Sequence, residues 1–374
     1  MEPVVLPKNG LLFRLDHLRF CNEGCLTPII ILTLIHEEIN DSMFSYSLQI
    51  LKKISLVVLS QCVWGMMVFH PSTAVGQEVT PSLKSIESGS HATLLGVHFL
   101  NQKEGWVVGA GGTILQTQDG GITWKAHPRR TNALLTDIRF VDVSHGWILG
   151  QMGTILHTND SGQHWIPQVS GTNGTLYSGM FLTSELGWVV GSRGVILKTL
   201  DGGETWSDQV SGTTADLFGV QFLDDRHGWA IGALGVILVS SDGGASWTIQ
   251  ESNNPATFFD IFFMDKLAGW VVGTQGTIFQ TLDGGHSWVD RTRPCGSPCI
   301  KPADLVDIHF SSALSGKIVG ERGTVLVTED AGFSWVELEA LNTENLYGLS
   351  MPTSHQGFAV GDHGTVIEIF SSSP

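Results

Sequence analysis

An aspartate recurs in a short glycine-rich segment that ends in tryptophan, first found as TQDGGITW over 117–124. Six copies occur, and their aspartates are Asp119, Asp160, Asp201, Asp242, Asp283 and Asp330. A carboxylate can serve as a general acid or base, but an aspartate in a tight turn also accepts hydrogen bonds from turn N–H groups. The glycines supply positive φ, and the tryptophan packs in a core. Because all six copies share one turn, we interpret these aspartates as structural.

Three further carboxylates occupy one shared position in short apolar segments, where the other copies of the segment have Gly or Ser. They are Asp137, Asp260 and Asp307. Three carboxylates that converge on a channel could bind a cation or carry out acid/base chemistry. Alternatively, each could hydrogen bond to the backbone of a neighbouring element. His98 and His309 lie two residues further along their segments and could line the same channel.

Basic side chains are few, and several are expected in loops on one face of the molecule. These are Arg129, Arg130, Arg193, Arg291, Arg293, Lys301 and Arg322. Because arginine makes bidentate contacts with carboxylates, these residues could bind an acidic or carboxylate-bearing partner. Ordinary solvated loop charge is the alternative interpretation. The sequence contains no Ser-His-Asp spacing, HExxH, Gly-rich phosphate loop or zinc ligand set, so it predicts neither a metal nor a cofactor.

Cys295 and Cys299 are the two cysteines beyond residue 76, and they share the loop CGSPC. In an oxidising compartment, a small disulfide that closes this loop is the expected state. A redox-active pair is the alternative, although no thioredoxin-like βαβ pattern surrounds it. A zinc site would need four ligands, and no second cysteine pair follows. We therefore predict a disulfide between Cys295 and Cys299.

A 41-residue repeat that begins near Leu94 positions all of these residues. Its marker is a Gly-Trp pair that starts at Gly105-Trp106 and decays in the last two copies to Gly316-Lys317 and Gly357-Phe358. One interval is 47 residues long, because six residues are inserted around the cysteines. Each copy contains four short runs rich in Val, Ile, Phe and Trp, separated by glycine turns and without helical periodicity. Seven such copies predict an all-β fold, a seven-bladed β-propeller of four-stranded blades.

The last copy of the repeat ends after Phe370, one strand short of a complete blade. The missing strand is available at the other end of the repeat region, since Ser82–Ser90 aligns with the outer strand of another copy at Thr205–Thr213. We therefore expect the N-terminal strand of the mature chain to pair into the last blade and close the ring.

The composition excludes several classes of protein. Of 374 residues, 45 are glycine and 12 are tryptophan, 42% are hydrophobic and the net charge is −16. A disordered chain would have fewer apolar and more charged residues. An acidic chain without clustered Lys and Arg is also a poor binder of nucleic acid, because that binding depends on neutralising phosphates. A single acidic, globular, monomeric β-protein remains.

Residues 1–76 differ from the repeat region. Lys52 and Lys53 precede an apolar run over 54–69, and the small residues Ala74 and Gly76 follow it. This order is typical of a secretory signal peptide. We predict an over-extended N-terminus over 1–42, a signal peptide over 43–76 and the propeller over 77–374. An uncleaved membrane anchor is the alternative, although the apolar run is short for a spanning helix.

The repeat unit, with its Gly-Trp-Val-Val-Gly strand and its Asp-Gly-Gly-x-Thr-Trp turn, resembles the photosystem II stability/assembly factor family over residues 77–374. The turn motif is known as the Asp-box. The resemblance implies a seven-bladed propeller, in the thylakoid lumen or periplasm, that assists assembly of the D1 reaction-centre protein without catalysis. It also implies an arginine-rich binding surface. The leader departs from the family because it lacks a convincing lipobox at Cys62. A general cell-envelope propeller that binds proteins remains an alternative.

Sialidases share the Asp-box and provide an enzymatic alternative, together with other propeller glycosidases. Sialidase chemistry requires an arginine cluster, a tyrosine nucleophile and acidic partners. Beyond residue 76 the only tyrosines are Tyr177 and Tyr347, and no Phe/Tyr-Arg-Ile-Pro segment occurs. We therefore favour a protein-binding scaffold over an enzyme.

Overall fold

The computed structural model describes residues 81–250, 252–292 and 302–370. The expected leader, the cysteines Cys295 and Cys299, and the basic residues Arg293 and Lys301 lie outside the described residues. Within the described ranges, no helix has the length and apolar character that crossing a bilayer requires.

The described residues form seven four-stranded antiparallel sheets, which are the blades of a β-propeller. Blade one comprises β2 (Leu94–Phe99), β3 (Gly105–Gly109), β4 (Thr113–Thr117) and β5 (Lys125–Ala126), and blade two comprises β6 (Leu135–Phe140), β7 (Gly146–Gly150), β8 (Thr154–Thr158) and β9 (Ile166–Val169). Blade three comprises β10 (Leu176–Phe181), β11 (Gly187–Gly191), β12 (Ile196–Thr199) and β13 (Ser207–Gln209). Blade four comprises β14 (Leu217–Phe222), β15 (Gly228–Gly232), β16 (Ile237–Ser240) and β17 (Thr248–Gln250).

Blade five comprises β18 (Phe258–Phe263), β19 (Gly269–Gly273), β20 (Ile278–Thr281) and β21 (Val289–Asp290). Blade six comprises β22 (Leu305–Phe310), β23 (Gly316–Gly320), β24 (Val325–Thr328) and β25 (Val336–Glu337). Blade seven comprises β26 (Leu346–Ser350), β27 (Gln356–Gly361), β28 (Thr365–Phe370) and β1 (Ser82–Glu87). The first strand of each blade packs against the first strand of the next, and β26 packs against β2. The seven-bladed propeller expected from the 41-residue repeat is confirmed.

The core lies between the blades. The second strand of each blade, which reads GWVVG in three of them, is buried from its first glycine onward. Its tryptophan stacks on the phenylalanine that ends the first strand of the next blade, as Trp188 does on Phe222, with 3.6 Å between ring centroids. Stacking of this kind buries both ring faces, and burial of aromatic surface is the main gain in free energy from the pair. The repeated Gly-Trp pair is therefore the residue pattern that joins neighbouring blades.

Blade seven combines both ends of the described chain. Its outermost strand, β1, pairs antiparallel with β28, and Ser82 lies opposite Phe370.

Blade six differs at the Gly-Trp position, where Lys317 replaces the tryptophan and is 2% exposed. Burial lowers the pKa of Lys317, and the nearby charge of Glu329 acts in the opposite direction.

A short 3₁₀ turn joins the second and third strands of every blade, and we call these the apex turns. They are Ala110–Gly112, Gln151–Gly153, Ser192–Gly194, Ala233–Gly235, Thr274–Gly276, Glu321–Gly323 and Asp362–Gly364. Because neighbouring strands are antiparallel, the apex turns and the loops between blades share one face of the ring, which we call the apex face. The Asp-box turns lie on the opposite face, the Asp-box face.

Candidate functional site

Each Asp-box aspartate is the acceptor at the centre of its own turn. In blade three, Asp201 accepts hydrogen bonds from the backbone N–H of Thr205 at 2.9 Å and from its hydroxyl at 2.6 Å. Thr199 also donates to this carboxylate, at 2.8 Å, and accepts the N–H of Gly203. The other five aspartates accept the same backbone hydrogen bond from the residue four positions ahead.

These hydrogen bonds fix the charge of the Asp-box. The hydroxyl and backbone N–H of Thr205 lower the pKa of Asp201 to about 2, and those of Ser246 lower the pKa of Asp242 to about 2. A carboxyl with so low a pKa stays ionised at neutral pH and is a poor general acid. The geometry therefore supports a structural role for the Asp-box.

The three channel carboxylates each bind the backbone of the next blade. Asp137 accepts the N–H of Gly179 at 3.0 Å, and Asp260 accepts the N–H of Ile308 at 3.0 Å. Asp307 in turn accepts the N–H of Leu349 at 2.8 Å. The sequence allowed either a cation or acid/base site or hydrogen bonds to the backbone of a neighbouring element. The structure contains the hydrogen bonds, and each of them joins two neighbouring blades.

Asp260 and Asp307 also lie against each other, because their blades are neighbours. Burial raises the pKa of both groups, and the adjacent charge of Asp260 raises the pKa of Asp307 further. The two side chains are close enough for a protonated carboxyl group on one to donate a hydrogen bond to the other. Two carboxyl groups this close share a proton, because both cannot ionise without strong repulsion.

Arg139 is the cation of the channel, and the sequence analysis did not single it out. Its Nε donates to Asp137 at 3.1 Å, and 38% of its side-chain surface is accessible, so it faces the open channel. The charges of Asp137, Asp307 and Asp260 raise the pKa of Arg139, with Asp137 making the largest contribution. The signal was present in the sequence, since Arg139 stands at the strand position that carries His98 and His309 in other blades.

The two histidines of the channel are neutral. Burial, followed by the charge of Arg139, lowers the pKa of His98 to about 3 and that of His309 to about 4. Among residues 81–250, 252–292 and 302–370, no group of three or more His, Cys, Asp and Glu side chains has the arrangement of a metal site. Among the described residues of the channel, Arg139 is thus paired with Asp137, and Asp260 lies against Asp307.

Four of the basic residues are exposed on the apex face. Arg129 and Arg130 lie in the loop between blades one and two, Arg193 is the middle residue of the apex turn of blade three, and Arg322 is its counterpart in blade six. They surround the face rather than forming one compact cluster, because blades three and six are nearly opposite each other in a ring of seven.

Arg291 has a different environment. Its Nε donates to Gln280 at 3.0 Å, and its guanidinium lies over the ring of Phe333, 4.8 Å from the centroid. Phe333 belongs to the Asp-box segment of blade six, so the Arg291 guanidinium points away from the apex face. We therefore leave Arg291 out of the candidate binding surface.

Aromatic residues surround part of the channel mouth on the apex face, and the sequence analysis did not identify them as a group. The ring of Tyr177 lies 4.8 Å from that of Phe218, which lies 5.7 Å from that of Phe259. All three are partly exposed and occupy the second position of the first strand in blades three, four and five. Their shared repeat position was the available signal. We call them the aromatic arc.

Comparison with known proteins places the chain in a family. The model of the family described as photosynthesis system II assembly factor YCF48 matches residues 77–167, 129–211 and 248–338. A comparison with curated protein sequences gave no match.

Solved structures share the fold at low sequence identity. YCF48 bound to D1 peptide has a TM-score of 0.65 and 20% identity, covering 78% of this chain and 95% of that chain. YCF48 from Cyanidioschyzon merolae has a TM-score of 0.65 and 20% identity, covering 77% of this chain and 98% of that chain. The GH74 enzyme of Niastella koreensis also shares the fold, with a TM-score of 0.61, 11% identity and coverage of 76% of this chain and 53% of that chain.

The family matches and the geometry agree on the repeat. The matched segments together span 77–211 and 248–338, which is more than half of the 374 residues. The chain therefore belongs to the YCF48 family of photosystem II assembly factors.

Proposed function

We propose that this protein is exported and acts as a non-catalytic scaffold that binds a carboxylate-bearing segment of a membrane-complex subunit during assembly. The observation that supports this best is the family match over three segments of the repeat region. A related propeller of the same fold has been solved as YCF48 bound to D1 peptide. In a photosynthetic host the partner is the reaction-centre protein of photosystem II, and in another host it is a subunit of a different membrane complex.

The apex face carries arginines that could bind the carboxylates of this partner. Arg129, Arg130 and Arg193 are exposed there, and guanidinium groups bind carboxylates through two parallel hydrogen bonds. Arg322 adds a fourth cation on the same face. In a chain with a net charge of −16, these residues are the main attraction for an acidic segment on this face.

The channel carboxylates favour a scaffold over a glycosidase. A glycosidase needs two carboxyl groups about 5–9.5 Å apart, with room between them for a sugar or a water molecule. Asp260 and Asp307 instead lie close to each other, and each accepts a hydrogen bond from a backbone N–H group of the next blade. Carboxyl groups that are engaged within the protein in this way support a structural role for the pair.

The N-terminal sequence supports the proposed location. The basic residues, the apolar run over 54–69 and the small residues before position 77 are those of a signal peptide. We propose cleavage after Gly76 and a mature protein in the periplasm or the thylakoid lumen, as a monomer. N-terminal sequencing of the protein purified from its host tests this, since a mature chain that begins upstream of residue 54 would contradict it.

A membrane pull-down tests the proposed binding. Wild type is compared with a variant in which Arg129, Arg130, Arg193 and Arg322 are changed to Ala. The control changes four cations outside the apex face to Ala, namely Lys103, Lys125, Arg226 and Lys266. We expect wild type and control to recover the same membrane subunit and the first variant to lose most of it. Equal recovery by all three proteins would exclude the basic surface.

A further inference from the structure

The middle residue of every apex turn has a left-handed backbone conformation. In blade one it is Gly111, with a φ of 63°, which carries no steric penalty. Blades two, three and four have Met152, Arg193 and Leu234 at this position, with φ between 56° and 58°. A bulky residue in this region costs about 1–2 kcal/mol relative to glycine. Six of the seven apex turns have a non-glycine residue at this position, and blades two to four differ from the others because two of their three residues are large and apolar.

The side chains at these positions contribute little to the core. Met152 is 70% exposed and Leu234 is 77% exposed, and Arg193 between them is also exposed. Exposed apolar side chains on strained backbone have no stabilising role within the fold itself.

Each of these turns lies next to one member of the aromatic arc. The apex turn with Met152 packs on β10, which carries Tyr177. The turn with Arg193 packs on β14, which carries Phe218, and the turn with Leu234 packs on β18, which carries Phe259. Each of these three turn residues, which we call the outer residues, thus belongs to a turn that packs on a strand carrying one member of the aromatic arc.

Asp216 connects the apex turn of Arg193 to the aromatic arc. It accepts the backbone N–H of Arg193 at 2.7 Å and interacts with the hydroxyl group of Tyr177. It also directly precedes Leu217 and Phe218 in the chain. The backbone of the Arg193 turn is therefore tied to the strand that carries Phe218, and in blade order this turn lies between the turns of Met152 and Leu234.

We propose that Met152, Arg193 and Leu234, together with Tyr177, Phe218 and Phe259, form a docking surface for an extended peptide that carries apolar side chains beside a carboxylate. This inference rests on the proposed function and specifies where on the apex face the partner binds and by what chemistry. The apolar outer residues and the arc bury the apolar side chains of the peptide, and Arg193 pairs with its carboxylate.

The opposite half of the face does not share this character. Blades five, six and seven have Gln275, Arg322 and His363 at the middle of their apex turns. His363 is paired with Glu344 at 2.7 Å, and the neighbouring Asp362 accepts the hydroxyl of Tyr347 at 3.1 Å. Within the described residues, the apolar outer positions are thus confined to one side of the ring, as expected for an asymmetric linear ligand.

The test uses substitutions that relieve backbone strain and remove apolar surface together. Asparagine tolerates the left-handed region, so Met152→Asn with Leu234→Asn should fold at least as well as wild type. The matched control is Gln275→Asn, which makes the same backbone change at a polar position. Thermal unfolding of the three proteins verifies that neither variant is destabilised.

Two probes are used on each protein. The first is the D1 peptide, labelled for fluorescence anisotropy, which we expect to bind wild type and the control equally and the double variant about tenfold more weakly. The second is the dye 8-anilinonaphthalene-1-sulfonate, which combines an aromatic body with one negative charge. We expect the double variant to enhance its fluorescence less than wild type and the control do.

The outcomes separate this inference from the proposed function. If the peptide binds all three proteins with equal affinity, the proposed function stands and the docking surface is wrong. If no protein binds the peptide but the double variant alone loses dye binding, the surface stands and the D1-type partner is wrong. Equal peptide affinity together with equal dye fluorescence overturns the surface on both measurements.

Discussion

The indole N–H of Trp188 donates a hydrogen bond to the carbonyl oxygen of Gly243 at 3.0 Å, and this bond ties blade three to the Asp-box turn of blade four. Trp147 and Trp229 make the equivalent bonds to Gly202 and Gly284. The Asp-box thus acts beyond its own turn, since it holds a carbonyl in place for the tryptophan of the preceding blade. The interblade contact combines ring stacking with this hydrogen bond.

Two tryptophans at the same position lack this bond. The Nε1 atoms of Trp106 and Trp270 are buried without a partner in the described part of the chain. The Asp-box turns of the blades that follow them have Ser161 and Ala331 at the position where the other Asp-box turns have glycine. Their rings are also tilted by 27° and 26° against the phenylalanine of the next blade, compared with 5–13° in the other three pairs.

The hydrogen bond gives a first prediction. Trp188→Phe should lower the free energy of unfolding by about 1 kcal/mol more than Trp106→Phe does, because only the first removes an interblade hydrogen bond. Both substitutions remove similar ring area, so Trp106→Phe controls for stacking. Urea unfolding measures both values. Equal losses would mean that the bond contributes nothing to stability.

The non-glycine turns give a second prediction. Ala331 has a φ of 61°, and Ala331→Gly removes the strain of that conformation. Because glycine also has more freedom in the unfolded chain, we expect a net gain of about 0.5–1 kcal/mol. Gly202→Ala should do the opposite, since its Cβ would lie 2.7 Å from the carbonyl oxygen of Ser184. Differential scanning calorimetry of the two variants should show melting temperatures that move in opposite directions.

Lys317 gives a third prediction. Lys317→Met should stabilise the protein by about 1–3 kcal/mol at pH 7, because the amino group is buried where other blades have tryptophan. Burial lowers the pKa of Lys317 in the folded state, so the unfolded chain binds more protons and stability rises with pH. The advantage of the methionine variant should therefore shrink in unfolding experiments as the pH is raised from 7 to 10. An advantage that stays constant would contradict this account.

The channel pair gives a fourth prediction, on pH dependence. Because burial raises the pKa of Asp307 in the folded state, its contribution to stability is complete below its unfolded pKa and is lost as pH rises through the folded pKa. Asp307→Asn keeps a side-chain oxygen for the N–H of Leu349 and can still donate to Asp260. We expect this variant to lose less stability than wild type between pH 5 and pH 9.

Asp137→Asn is the matched control for the channel pair. It leaves the hydrogen bond to Gly179 possible but removes the ion pair with Arg139, so it should destabilise the protein at pH 7 by about 1–3 kcal/mol. At high pH we expect Asp307→Asn to be more stable than wild type and Asp137→Asn to be less stable. A loss of stability in both would show that Asp307 is ionised in the folded protein.

The blade count could be predicted from the sequence because it depends on local patterning. A 41-residue period, a Gly-Trp strand and a turn motif each report on a single blade, and seven copies leave little choice of architecture. The pairing of Asp260 with Asp307 depends on which blades are neighbours and on side-chain direction within a channel. Period alone does not contain that information.

The binding surface shows the same limit. Arg193 was recognised as an exposed cation from its turn, but its residue type does not indicate that Tyr177 and Phe218 lie beside it. Arg291 stands in a loop by sequence, yet Phe333 of the next blade holds its guanidinium. Contacts between residues separated by more than one strand depend on the closed ring, so they emerge only from the three-dimensional arrangement.

The low pKa values of the Asp-box affect how the molecule approaches a partner. Hydrogen bonds within each turn keep groups such as Asp201 and Asp242 ionised down to a pH of about 2, so one end of the ring holds its negative charge even in an acidified compartment. Arg129, Arg130 and Arg193 carry positive charge at the other end. The Asp-box face therefore repels an anionic partner at every pH above about 2, and such a partner would approach from the end that carries the arginines.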